Sequence, residues 1–310
     1  MKKFASILLT IVLCLSMMPF GAAQAAEKTY EFVFIVKSMQ FSFMLSMIDG
    51  AEAAAALVDN IHIVCEGPET PYSVSEQIEL VEQAITNGVD AIMITPADST
   101  GIIPAIEAAN AAGIPIATPN TKAYGGDVLC WVGVDNYTVG YELGKALCDA
   151  LGGKGNVVLI EGTAGNSTST ERVDGYLDAF AEYPDIVLLD SQPADFNREK
   201  GMTVMENFLQ RYDDIDGVAS VNKDMTMGAI EAVKDADRQD EMIQVTFDVD
   251  NDCLDAIDAG EILITGAQEE KSQIANCIYA CLLACNGYKV APEQYIPMTL
   301  VTKENTSLYR

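Results

Sequence analysis

Gly88-Val-Asp-Ala-Ile-Met-Ile-Thr-Pro96 decides the architecture. A glycine placed to end a helix leads into a short apolar run, which gives way to a polar turn. A run with no polar–apolar alternation belongs to a strand covered on both faces, as in a parallel sheet flanked by helices. Residues 73–86, just before it, carry helical periodicity. The unit is therefore helix, glycine, buried strand, polar turn.

The unit repeats in both directions. Strands are expected over 30–36, 61–65, 90–95, 114–118, 156–160, 186–190, 217–221, 242–247 and 262–266. Helices are expected over 42–58, 73–86, 100–112 and 137–151. Gly88, Gly113, Gly152, Gly217 and Gly260 each stand between a helix and the next strand, where a left-handed C-terminal cap is expected. Asp216-Gly-Val-Ala-Ser-Val-Asn-Lys-Asp224 faintly echoes the opening stretch in the second half. Alternating βα units mean parallel sheets with helices on both faces. So many strands exceed one comfortable sheet, so the α/β chain is expected to form two lobes with a hinge near 131–135. The expected division is 27–133 plus 269–297 for the N-terminal lobe and 134–268 plus 298–310 for the C-terminal lobe.

Lys2 and Lys3 precede an apolar run from Ile7 to Met18, Pro19 and Gly21 break it, and Ala23-Gln-Ala25 supplies small residues for cleavage. That is the layout of a secretory signal peptide over residues 1–25. The run is shorter than the ~18 residues a bilayer span needs. The expected location is periplasmic or otherwise extracytoplasmic. Cys14 would be the site of a lipid anchor, but Leu13 stands where such signals want a small residue, so cleavage is favoured. The net charge of −28 excludes non-specific nucleic-acid binding, because phosphates would be repelled. Cys277, Cys281 and Cys285 share one helical face, but their surroundings are apolar and a fourth ligand is missing. They read as small core residues, not as a metal site. No cofactor motif is present: Gly152-Gly-Lys-Gly155 precedes a strand instead of opening a helix after one. Asp248-Val-Asp-Asn-Asp252 fails as a calcium loop, since Cys253 and Ala259 occupy the positions of the required glycine and bidentate acid. The single histidine, His62, lies inside Ile-His-Ile and is a poor general base.

In doubly wound sheets ligands bind outside the carboxyl ends of the strands. Thr95, Asn120, Glu161, Gln192, Asn222, Asp248 and Gln268 all fall at or just past such ends, accompanied by Phe41, Phe43 and Phe196. Amides and carboxylates satisfy hydroxyls, and flat rings cover the apolar face of a sugar. Two facing lobes so equipped make a site for a small polyhydroxylated molecule.

Three long stretches carry a resemblance: Ala164-Gly-Asn-Ser-Thr-Ser-Thr-Glu-Arg-Val-Asp-Gly-Tyr176, the run from Ser191 through Asn207, and Asn222-Lys-Asp-Met-Thr-Met-Gly-Ala229. Each resembles ribose-binding members of the type I periplasmic binding proteins, and the likeness extends from about Tyr30 to Thr302. The resemblance implies two Rossmann-like lobes joined by three crossing segments, closure like a clamp, and delivery of a sugar to the permease of an ABC importer by a monomer that is not an enzyme. It further implies that Phe43 and Phe196 cover the two sugar faces, and that Arg172 donates to sugar oxygens. Asn222 and Asp248 would hold hydroxyls, with Gln268 beside the hinge. Where ribose-binding members carry an Asp-Arg pair this chain has Asn120-Thr121. Phe41 replaces an asparagine and Met44 a second aromatic. The ligand is therefore not expected to be ribose held in the usual way; a deoxy sugar, a larger pyranose, a polyol or a nucleoside-like molecule stays open. A sensory role, presenting bound sugar to a chemoreceptor or sensor kinase, is the alternative.

Overall fold

The structure, a computed structural model, describes residues 28–310. The leader expected over residues 1–25, its cleavage site and Cys14 lie outside the described residues. The chain opens with β1 (Tyr30–Ile35), α1 (Ser42–Ala56), β2 (Ile61–Glu66), α2 (Val74–Asn87), β3 (Ala91–Ile94), α3 (Ile103–Ala111), β4 (Ile116–Pro119) and β5 (Trp131–Gly133). It continues with α4 (Asn136–Ala150), β6 (Lys154–Glu161), α5 (Ser167–Ala181), β7 (Asp185–Pro193), α6 (Arg198–Arg211), β8 (Gly217–Ser220) and α7 (Lys223–Asp235). Then come β9 (Ile243–Phe247), α8 (Asn251–Ala259), β10 (Ile264–Ala267), α9 (Glu270–Cys285), β11 (Glu293–Tyr295) and β12 (Thr299–Thr302).

The strands form two six-stranded sheets, ordered β11-β5-β4-β3-β1-β2 and β12-β10-β9-β8-β6-β7. Every pairing is parallel except β10 with β12, an antiparallel edge. The chain passes between the sheets at 134–135, 268–269 and 296–298. Two lobes joined by three short strands of backbone can rotate as rigid bodies about those crossings.

The opening stretch works as its composition demands. In β3, Ala91 and Met93 join one core, with Phe32, Phe34, Met47 and Ile278, on the side of α1 and α9. Ile92 and Ile94 join the other, with Val33, Ile35, Val81 and Ile106, on the side of α2 and α3. Burial on both faces stabilises by roughly 1.5–3 kcal/mol for each large apolar side chain. The preceding helix is fixed at both ends: Ser73 Oγ accepts from the Glu76 amide, and Gly88 takes the left-handed cap at φ 69°. Gly113, Gly152 and Gly260 also have positive φ. Gly217 does not. It opens β8, packed against Leu147 and Val157, while α6 ends on the extended Tyr212 without a glycine. Its role is close packing of a strand, not a cap.

Cys277 and Cys281 lie in the first lobe's core beside Cys130, and burial pushes both thiols up; Cys285 is half-buried. His62 stands on the outer face of edge strand β2, exposed, with Nδ1 2.5 Å from Glu31 Oε2. Among the described residues no helix is long and apolar enough to cross a membrane.

Candidate functional site

A narrow cleft lies between the lobes, lined from the first by Lys37, Phe41, Phe43, Met44, Tyr72 and Asn120 and from the second by Thr168, Arg172, Phe196, Asn222, Asp224, Asp248 and Gln268. Eight of the nine residues expected from the sequence line it: Phe41, Phe43, Asn120, Arg172, Phe196, Asn222, Asp248 and Gln268. Thr121 does not. Its hydroxyl lies one layer back, accepting from Lys37 Nζ at 2.8 Å and 3.3 Å from Thr168 Oγ1. Glu161 and Gln192 also miss the cleft; Glu161 accepts from Ser191, and Gln192 donates to Asp190 at 2.8 Å. Thr95 is buried behind the wall, where its hydroxyl accepts from the Lys37 amide at 2.9 Å.

Backbone strain marks this cleft. Of the non-glycine residues with positive φ, Tyr72 (63°), Asn120 (64°), Phe196 (55°) and Asp248 (75°) all line it. Asn and Asp tolerate the left-handed region, but Tyr and Phe adopt it at a cost of order 1–3 kcal/mol. The surrounding structure supplies the restraint. The Tyr72 amide donates to Lys37 O at 2.9 Å, and the Phe196 ring presses on the bare backbone of Gly162. Tyr72 and Phe196 face each other at 6.0 Å with 17° between their planes, and Phe41 leans on Tyr72 at 5.4 Å.

The helices of the second lobe aim polar groups inward. Asn222 lines the cleft and caps α7, its Oδ1 accepting from the Met225 amide at 3.0 Å. Asp250, two residues past Asp248, caps α8 and accepts from Lys223, leaving Asp248 free of capping duty. Arg172 rises from α5 and is 2% exposed. Its Nε donates to Asn136 Oδ1 at 2.9 Å and its Nη1 to the Val221 carbonyl at 2.7 Å, while Nη2 has no partner among the described residues. The guanidinium lies 3.9 Å from the Phe247 ring centre, and burial lowers its pKa to about 10. Gln268 Nε2 donates to Asp248 Oδ1 at 2.6 Å. Burial pushes the Asp248 carboxyl up, against the pull of Arg172.

Lys37, Tyr72, Thr168 and Asp224 were not legible as site residues. Lys37 is the clearest omission, because it follows β1 directly and obeys the same strand-end rule as Asn222. The loop after β6 proves to be where the lobes meet. Asn166 Nδ2 donates to the carbonyls of Pro96 and Ala97 at 3.1 and 3.2 Å. The Ser99 amide donates to Gly165 O, the Ser167 amide to Ser99 Oγ, and the Lys122 amide to Ser167 Oγ, at 3.0, 3.0 and 2.9 Å. The cleft is thus seen with its lobes latched.

The sequence profile described as periplasmic binding protein domain matches residues 32–289. The ribose import binding protein of Escherichia coli is 30% identical over 304 residues, covering 98% of this chain and 99% of that one. An ABC transporter periplasmic solute-binding protein from Actinobacillus succinogenes, solved with D-allose, is 32% identical with a TM-score of 0.85 over 91% of this chain and 100% of that one. A solute-binding protein from Bacillus halodurans, solved with myo-inositol, is 27% identical with a TM-score of 0.86 over 92% of this chain and 98% of that one.

Proposed function

The chain belongs to the periplasmic binding protein domain family, and on that premise we propose that it captures one sugar-sized polyhydroxylated solute between its lobes for delivery to an ABC-type importer. The observation that carries the reading is the cleft itself. Strained, buried aromatic and charged side chains from both lobes converge on one small volume at the carboxyl ends of both sheets. Members of such a family bind their solute without transforming it. Relatives named for ribose, and structures holding D-allose and myo-inositol, support a ring or chain of hydroxyls as the cargo.

The lobes divide as 27–133 with 269–297 and 134–268 with 298–310, and Phe43 and Phe196 cover opposite faces of the ligand. Contacts to both lobes favour closure only when ligand is present, so binding is a shift of population from open to latched. The importer's permease then reads the latched pair, presented by a monomer outside the cytoplasm after export by the N-terminal leader. A micromolar ligand requires about 8 kcal/mol, within reach of several satisfied hydrogen bonds and two ring contacts. A thermal-shift screen over pentoses, hexoses, deoxy sugars, polyols, sugar acids and nucleosides, followed by calorimetry, tests this. A hit at micromolar affinity supports the reading, and no response across the whole panel refutes it.

A further inference from the structure

Tyr72 stands where its turn calls for glycine. Thr70-Pro-Tyr-Ser73 is closed by a hydrogen bond from the Ser73 amide to the Thr70 carbonyl at 3.0 Å, with Pro71 at the second position and a φ of 63° at the third. That is the layout of a type II turn, whose third position usually holds glycine or asparagine because these accept positive φ most readily. Tyrosine gains nothing for the turn. Its ring is placed across the lobes instead. It lies nearly parallel to Phe196 of the second lobe, with 17° between the planes and 6.0 Å between centroids, and Phe41 leans on it at 5.4 Å. All three rings line the cleft. A sugar ring held between two aromatic faces needs a contact distance of about 3.5–4 Å on each side, or roughly 7–8 Å in all. The gap between Tyr72 and Phe196 is narrower than that. No part of a ligand enters it, and the pair closes one end of the cleft while the lobes are latched. Strain kept at a ligand clamp points to function and not to folding.

We infer that Tyr72 sets the size of the ligand: its ring, placed against Phe196, shuts one end of the cleft to a ring substituent. The site therefore favours a pentose over the hexose that differs from it by one hydroxymethyl group. The inference rests on the reading of this cleft as a sugar site and names the residue that sets its selectivity. An extra carbon that a closed pocket cannot seat is worth roughly 10–200-fold in discrimination. The same contact ties selectivity to closure, because Tyr72 and Phe196 belong to different lobes and touch only while the lobes are together. Position 72 can lose its ring without losing its turn, since glycine suits a φ of 63° better than tyrosine does. Tyr72→Gly thus separates the ring's effect on the ligand from any effect on the fold.

Calorimetry on the purified wild type and on Tyr72→Gly uses three matched pairs: D-ribose and D-allose, D-xylose and D-glucose, L-arabinose and D-galactose. Within each pair the pyranose rings share one configuration, and the hexose adds a hydroxymethyl group. In the wild type the pentose of at least one pair should bind about tenfold or more tighter than its hexose. In Tyr72→Gly the ratio for that pair should fall about tenfold, while the melting temperature without ligand holds or rises. Tyr72→Phe keeps the ring and should keep the wild-type ratio. A wild type that binds each hexose as tightly as its pentose, or a glycine variant with the wild-type ratio, overturns the inference and leaves the sugar-site reading standing. No binding of any of the six sugars by the wild type also overturns it; the same silence across the whole screening panel overturns the sugar-site reading as well. Should Tyr72→Gly fail to fold, Tyr72→Asn is measured in its place, because asparagine also accepts positive φ.

Discussion

A Cβ at position 162 would stand 2.2 Å from the Phe196 ring, so the second lobe's aromatic wall rests directly on the backbone of Gly162. The ring belongs to a residue already forced to φ 55° and has little freedom to retreat. Gly162→Ala must therefore move the wall into the cleft. Overpacking of this kind costs about 1–3 kcal/mol. Both the melting temperature and the affinity for the ligand found by screening should fall, the affinity about tenfold or more. An unchanged dissociation constant would show that Phe196 is not a ligand wall.

Asn222 has two jobs on two atoms, and one substitution separates them. Its Oδ1 caps α7, a role aspartate fills as well as asparagine does. Its Nδ2 is the group it has left to donate to a ligand in the cleft that it lines. Asn222→Asp should keep the melting curve within about 1 kcal/mol of wild type, because the cap survives. Binding should weaken about tenfold or more, since a donor becomes an anion beside Asp248 and Asp224. Retained affinity would remove Asn222 from the site.

The sequence exposed what depends on local rules and hid what depends on long-range packing. The run from Gly88 to Pro96 reads as a doubly covered strand because both of its faces are apolar, and the strand-end rule located Asn222 and Asp248. The edge strands β11 and β12 carry no such signal: they are short, largely exposed, and defined by pairing with β5 and β10. Tyr72 was invisible for a different reason. Its place opposite Phe196 follows from a left-handed backbone at a residue type that gives no warning of it. Gly217 misled because a glycine before a strand serves a cap and a tight strand packing equally well.

Lys37 should also shape the stability of the latched form. Its folded pKa lies near 7, below the ordinary 10.5, so between those values the unfolded chain binds more protons than the folded one. Stability from this group therefore rises with pH across that window, and its penalty is complete below pH 7. The span corresponds to a few kcal/mol. Chemical denaturation at pH 7 and pH 9 should show the latched protein gaining stability at the higher pH, and Lys37→Met should flatten that gain. A wild type whose stability changes between the two pH values no differently from the variant's would mean that Lys37 stays solvated.

Ser99 tests whether the latch is thermodynamically coupled to binding. Its side-chain oxygen accepts from the Ser167 amide at 3.0 Å across the lobes, and Ser99 is fully buried in this arrangement. Ser99→Ala leaves that amide buried and unmet when the lobes are closed, yet free to bond water when they are apart. An unmet buried donor costs about 1–3 kcal/mol, and here the cost falls on the closed state alone. Because apparent affinity scales with the fraction of competent closed protein, the dissociation constant should rise roughly fivefold to a hundredfold. Each lobe keeps its own core, so the unfolding midpoint without ligand should barely move. Small-angle scattering should show the variant needing more ligand to reach the same compact form. An affinity equal to wild type would mean that closure is not limited by this contact and that the lobes already prefer the latched state unliganded.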